Sequence, residues 1–414
     1  MSPFAYRNGE LTAEGLPLAA IAARFGTPCY AYSRAALEEA FRGFDAAFAG
    51  IPHLVCYAVK ANPNLAVLNL FARLGSGFDI VSGGELARVV AARGDPGKIV
   101  FSGVGKTDAE ILRALEQPIL CFNVESASEL ARLEALASRL GKRAPVSFRV
   151  NPDVDPKTHP YISTGLKESK FGIAIDEAPQ LYRHAAKLAH VAVLGIDIHI
   201  GSQITALEPH VEAASKAFAL VDRLASEGIR LEHIDLGGGL GIRYRDEQII
   251  DPADYARAIV RLRGERPLKL LMEPGRFLVG EAGILLTRVE CLKPGAARNF
   301  AIVDAAMNDL LRPALYEAWH DVLPVRPRAE TPLLWQIAGP VCESADFLAR
   351  DRSLALAEGD LLAICSAGAY GMAMSSNYNS RPRAAEVIVD GATAHLVRPR
   401  EVVEELYERE SLLP

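Results

Sequence analysis

The sequence predicts an α/β chain: a (β/α)8 barrel of the TIM type joined to a mainly antiparallel β domain that also takes the N-terminal segment. Three observations predict it. Eight short apolar, β-branched runs alternate with helical patterns between residues 54 and 280, the alternation of a parallel sheet built from repeated βα units. Eight units in roughly 230 residues suit a closed barrel better than an open, doubly wound sheet. Beyond residue 280 the texture changes to strand-like runs broken by Pro and Gly, with no continuing helical alternation. The expected domains are therefore 30–280 for the barrel, and 1–29 with 281–414 for the β domain.

Taken in order, the first 30 or so residues (FAYRNGELTAEGLPLAAIAARFGTPCYAYS) fit the barrel poorly and are expected to lend a strand to the β domain. Barrel strands are expected at 54–60 (LVCYAVK), 78–82 (FDIVS), 98–104 (KIVFSGV), 118–125 (PILCFNVE), 146–151 (VSFRVN), 193–200 (VLGIDIHI), 231–236 (LEHIDL) and 268–273 (LKLLME). Each is short and apolar, as a strand buried on both faces must be. The stretches 84–93, 126–140 and 206–227 place apolar residues at the 3.6 spacing of amphipathic helices. In the β domain the strand-like runs are 283–291, 300–304, 333–338, 361–365 and 385–389.

Composition bounds the function. At 414 residues the chain is about 2.8 typical domains long, and with half its residues hydrophobic and 23% charged it is not disordered. A net charge of -6 argues against a nucleic-acid footprint or a polybasic membrane surface. The N-terminus lacks the basic and apolar regions of a signal peptide, and the longest weakly polar run, 361–374, is too short to span a bilayer. The cysteines at 29, 56, 121, 291, 342 and 365 form no C-x-x-C pair, so reduced thiols and a cytoplasmic location are expected. The histidines show no metal-ligand spacing, and no metal site is expected.

A βα barrel builds its active site at the carboxyl ends of its strands. There the first strand offers Lys60, the sixth His199, the seventh the run Gly237, Gly238, Gly239, and the eighth Glu273, Gly275 and Arg276. A lysine ending an apolar run is desolvated toward the neutral amine that attacks a carbonyl. Glycines let backbone amides approach a phosphate. A buried carboxylate can face a protonated pyridine nitrogen, and an imidazole can stack on the ring. Singly, each has a plainer reading: a lysine reaching solvent, an ordinary Gly-rich turn, a core histidine, and a Glu273 paired with Arg276. The run at Gly105–Lys106–Thr107 is no Walker loop, because Val100 stands where that motif needs glycine. On four strands of one barrel, the lysine, histidine, glycine run and carboxylate together specify pyridoxal 5'-phosphate.

Longer motifs agree: YAVKAN (57–62), FDIVSGGEL (78–86), HPYISTGLKESKFGI (159–173), HIGSQI (199–204), GGGLGI (237–242), EPGRFLV (273–279), GPVCESAD (339–346) and GAYGMAMSSNYNSRPR (368–383). With them nearly the whole chain resembles the diaminopimelate decarboxylase family, in the alanine-racemase-like fold group of pyridoxal phosphate enzymes. The resemblance implies that Lys60 links the cofactor, His199 stacks on its ring and Glu273 pairs with its pyridine nitrogen. It implies that Gly239 and the 273–276 segment hold the phosphate side, helped by Ser202 and Tyr370. It assigns substrate binding to Arg276, Arg312, Tyr316, Glu343 and Tyr370, and a proton-donor role to Cys342. It implies a homodimer in which Cys342 and Glu343 reach the partner's site, and decarboxylation of meso-2,6-diaminopimelate to L-lysine and carbon dioxide, the last step of that lysine pathway. Arg312 favours this substrate over ornithine-like diamines, which have no distal carboxylate for its guanidinium. Without the surrounding motifs, Arg312 reads as a surface arginine and Cys342 as a small buried apolar residue.

Overall fold

Eight parallel strands, His53–Ala58, Gly77–Ile80, Ile99–Phe101, Cys121–Val124, Ala144–Asn151, Val191–Asp197, His233–Asp235 and Lys269–Met272, each pair with the next. The last pairs with the first and closes the barrel. All eight expected strands are present in this computed structural model, which describes residues 3–156, 164–165 and 169–414. Most are shorter than their apolar runs. The first stops at Ala58 because Val59–Ala61 coils into a 3-10 turn, which carries Lys60 out of the strand.

Helices return the chain between strands, and local sequence starts them. Ser82 and Ser126 accept from the amides of Glu85 and Glu129 at 3.2 and 3.1 Å, so Gly83–Ala91 and Ala127–Arg139 each begin one residue after a serine cap. Thr107 and Glu110 form a reciprocal capping box ahead of Asp108–Glu116. Each cap stabilises its helix by about 1 kcal/mol. Inside the barrel Leu54, Cys56, Val100, Cys121 and Leu271 pack as one buried cluster.

The chain divides into two compact units, Ala40–Ile242 with Gln248–Phe277, and Met1–Glu39 with Arg243–Glu247 and Leu278–Pro414. The second unit is built on a mixed, mainly antiparallel nine-stranded sheet. Its long strand Gly283–Lys293 pairs antiparallel with Cys29–Ser33, Leu361–Ile364 and Asn299–Val303 in turn. The N-terminal segment thus contributes Cys29–Ser33, which also runs parallel to Ala385–Asp390. Cys29 and Ala31 share a buried cluster with Ile284, Leu286, Val387 and Val389. Opposite them Tyr32 donates its hydroxyl to Glu386 Oε1 at 2.8 Å. Three strands of this sheet were not expected: Val322–Pro324, Phe347–Leu354 and Thr393–Arg398. Phe4–Arg7, Glu10–Ala13 and Leu16–Pro17 form a separate three-stranded sheet. Among the described residues no helix is long and apolar enough to cross a membrane.

Candidate active site

Three acids close the bottom of the barrel's carboxyl-end site. Asp197 ends the sixth strand, Asp235 ends the seventh, and Glu273 follows the eighth. All three are buried, and one carboxyl oxygen of each lies within 4.8 Å of the others. The parallel register sets Asp197 directly opposite Asp235. Asp235 Oδ1 accepts from the Gly237 amide at 2.9 Å. Asp235 Oδ2 and Glu273 Oε1, read as carboxylate oxygens, find no donor among the described residues. Burial first, and the neighbouring carboxyls second, push Glu273 and Asp197 well above the usual carboxylate range.

Burial likewise raises Asp235, to about 7 from an ordinary 3.8. The folded chain therefore holds a proton that the unfolded chain releases between those values. Its stabilising contribution is complete below the unfolded value and is lost as pH rises through the folded one. Asparagine cannot ionise, so Asp235→Asn is expected to gain Tm relative to the parent as pH rises from 4 to 7. A difference in Tm that stays constant across that range would show that Asp235 does not carry this titration.

Lys60 is held differently from expectation. Its ammonium is ion-paired with Asp79, which is buried on the second strand, while its own side chain is 35% exposed. A carboxylate partner favours the charged amine, so apolar desolvation is not what this strand end imposes. His199 accepts the Gly238 amide on Nδ1 at 3.2 Å, which places the proton of the neutral ring on Nε2. Burial, then the positive charges of Arg149 and Lys60, hold this imidazole well below its ordinary pKa. It is a neutral, flat ring.

The glycine run is shaped by its own chain. A Cβ at Gly238 would stand 2.1 Å from the Glu273 carbonyl oxygen, and one at Gly237 would stand 2.4 Å from that of Ile198. The Gly237 and Gly238 amides are already donated to Asp235 and His199. Glu273 in turn donates its amide to the Gly237 carbonyl at 2.7 Å. His199, Gly237, Gly238 and Glu273 are therefore directly linked. Gly275 packs on the lysine's strand, since a Cβ there would lie 3.0 Å from the Ala58 Cβ. Arg276 is buried and donates to Ser202 Oγ at 3.0 Å.

The remaining expected residues belong to the other unit. Arg312 begins the short helix Arg312–Tyr316 and is buried, which excludes a surface arginine. Its Nη1 meets His320 Nε2 at 2.8 Å, and its guanidinium carbon lies 4.5 Å from the centre of the Tyr244 ring. Tyr316 and Tyr370 are half-buried, and Tyr370 takes a left-handed backbone with φ of 56°. Cys342 is exposed, which excludes the buried apolar reading; its amide donates to Asn379 Oδ1 at 3.1 Å. Glu343, also exposed, accepts a short hydrogen bond from the Tyr378 hydroxyl. Of the expected motif at 159–173, residues 159–163 and 166–168 lie outside the described residues.

Asp79, Asp197 and Asp235 were missed by sequence reasoning, as was Arg149, which sits 3.3 Å from Glu125 and 4.0 Å from Asp197. The signal was an acid inside an apolar strand run, as in GFDI, GID and HID. Burial of such a group demands a partner or a proton.

A family model described as pyridoxal-dependent decarboxylase, pyridoxal binding domain, matches residues 34–280. The chain is 64% identical over 415 residues to a diaminopimelate decarboxylase of Pseudomonas aeruginosa, covering 100% of both chains. It is 58% identical over 416 residues to that of Vibrio cholerae, again covering 100% of both. Among solved structures, diaminopimelate decarboxylase from Helicobacter pylori complexed with L-lysine matches at 43% identity and TM-score 0.92, covering 95% of this chain and 99% of that one. The M. jannaschii protein in co-complex with L-lysine matches at 40% identity and TM-score 0.95, covering 99% and 98%.

Proposed function

This chain belongs to the pyridoxal-dependent decarboxylases, and within them to the diaminopimelate decarboxylases, and from that membership we propose its reaction. It is a carboxy-lyase that converts meso-2,6-diaminopimelate to L-lysine and carbon dioxide with pyridoxal 5'-phosphate, the last step of lysine biosynthesis by the diaminopimelate pathway. The observation that carries the reading is Glu273. Its buried Oε1 needs a proton donor, and a protonated pyridine nitrogen is one. The neutral His199 ring and the Lys60 amine, just past the ends of two other strands, suit the same cofactor.

Bound pyridoxal phosphate supplies an electron sink for the pair left when the carbon–carboxylate bond breaks. Lys60 would hold the cofactor through its amine, Glu273 would keep a negative charge toward its ring nitrogen, and His199 would lie against its ring. Ser202, Gly239, Gly275, Arg276 and Tyr370 hold the phosphate; Gly237 and Gly238 serve by placing Asp235, His199 and Glu273. Arg312 receives the substrate's distal carboxylate and Glu343 its distal ammonium, with Arg276, Tyr316 and Tyr370 completing the contacts. Cys342 delivers the proton that replaces the lost carboxylate, from Sγ. The exposure of Cys342 and Glu343 in the single chain supports a homodimer in which each serves the partner's site. The chain works in the cytoplasm.

Incubation with meso-diaminopimelate should release lysine and carbon dioxide in equal amounts. Faster turnover of ornithine, arginine or carboxynorspermidine would overturn the substrate, and absence of carbon dioxide would overturn the reaction. Cys342→Ala should keep the cofactor's visible absorbance while turnover falls about 10^2-fold. An unchanged rate would reassign the proton donor.

A further inference from the structure

We propose that His320 is a positioning residue for substrate recognition: its Nε2 lone pair fixes the Arg312 guanidinium in the orientation that receives the distal carboxylate. This rests on the reading of Arg312 above.

Cys365 donates its amide to the Asp321 carbonyl at 2.8 Å, which sets the Cys365 carbonyl beside the His320 ring. His320 Nδ1 lies 2.7 Å from that carbonyl oxygen. A carbonyl oxygen can only accept, so Nδ1 carries the proton and Nε2 of the neutral ring presents a lone pair. A guanidinium offers donors alone, and Arg312 Nη1 meets that lone pair at 2.8 Å. Donor and acceptor roles are therefore fixed from Cys365 through His320 to Arg312.

The ring has little freedom to choose otherwise. His320 is fully buried. Its carbonyl accepts from Arg352 Nη2 at 2.7 Å, and the Arg352 guanidinium carbon stands 3.3 Å from the centre of the Trp319 ring. Tyr244 meets the His320 ring edge-on, with centroids 5.3 Å apart, and offers its face to Arg312. Arg312 is thus oriented by an uncharged nitrogen on one side and an aromatic face on another. Neither group competes by charge for a carboxylate, while together they remove rotamer freedom that binding would otherwise have to remove.

Two substitutions separate the ring's two jobs. In His320→Asn the side-chain amide reaches the Cys365 carbonyl but offers nothing to Arg312; in His320→Gln the side-chain oxygen reaches the Nε2 position. The holoenzyme of each is compared by KM and kcat for meso-diaminopimelate, and by calorimetric titration with L-lysine and with 1,5-diaminopentane, which is lysine without its carboxylate. His320→Asn should raise KM and the lysine Kd about tenfold, the effect of one positioned hydrogen bond, with kcat changed less than about threefold. Its affinity for 1,5-diaminopentane should not change, and His320→Gln should recover lysine affinity to within about threefold. Equal losses for lysine and the diamine, or unaltered lysine binding in His320→Asn, would overturn the proposal. If His320→Asn does not fold, Tyr244→Leu is held to the same split between lysine and diamine. Arg312→Lys distinguishes the two readings: if it leaves lysine binding and KM unchanged, the role of Arg312 itself falls.

Discussion

Lys60→Arg should give a folded, colourless protein whose turnover is lowered by at least about 10^3-fold. Arginine is the informative replacement. Asp79 is buried with a side chain 0% exposed, and its cationic partner is Lys60. Alanine would strand that carboxylate and mix a stability defect with a chemical one. Arginine keeps a cation beside Asp79, yet its guanidinium stays protonated and cannot attack a carbonyl. Absorbance spectra with added pyridoxal phosphate, together with an unchanged thermal midpoint, check the two halves of the expectation. A Lys60→Arg protein that turned over at the parent rate would remove Lys60 from the chemistry.

The second large effect concerns Glu273, where activity and stability should move in opposite directions. Glu273→Gln preserves shape but cannot hold a negative charge against a ring nitrogen. Turnover should fall about 10^2- to 10^3-fold, the scale on which one well-placed electrostatic partner acts. The cofactor-free protein should nevertheless melt at a higher temperature. In the parent, Glu273 is crowded by Asp235, Asp79 and Asp197, each of which disfavours its ionised form. Glutamine cannot ionise, so it avoids the cost that rising pH imposes on a buried carboxyl among other acids, and its amide can donate to Asp235. Such a trade of stability for function is expected of buried catalytic acids. If activity and melting temperature both fell, the acids would be a structural network and not a site kept under electrostatic strain.

Legibility in the sequence followed the range of the forces involved. The eight barrel strands were readable because each is buried on both faces and so had to be a short apolar run between helices. Strand ends were less readable: Lys60 continues the run of LVCYAVK, but the 3-10 turn at Val59–Ala61 takes it out of the sheet. In the other unit, Phe347–Leu354 was missed because Arg350, Asp351 and Arg352 break its apolar pattern. It is held by pairing with Leu333–Ala338 at one edge of the sheet. Lys60, His199, Glu273 and Arg312 could be named because their chemistry stands out at strand ends and in motifs. Asp79, Asp197 and Asp235 could not, since an acid inside an apolar run looks like an interruption until three strands bring such interruptions together. The Cys365 carbonyl that orients His320 is invisible to any sequence pattern, as backbone groups carry no residue identity.

The strand Cys29–Ser33 also sets an order of events during synthesis. It is translated early, but the strands that flank it are Gly283–Lys293 and Ala385–Asp390. At roughly 5–20 residues per second, its second neighbour emerges roughly 20–70 s after it does. Every strand of the barrel has been made by then, so the barrel can close while the other sheet is still missing its members. A ribosome that stalls before Ala385 would release a chain with Cys29–Ser33 lacking a neighbour and its edge open to other chains. The codons for Ala385–Asp390 thus complete a pairing that Cys29–Ser33 waits for through most of translation.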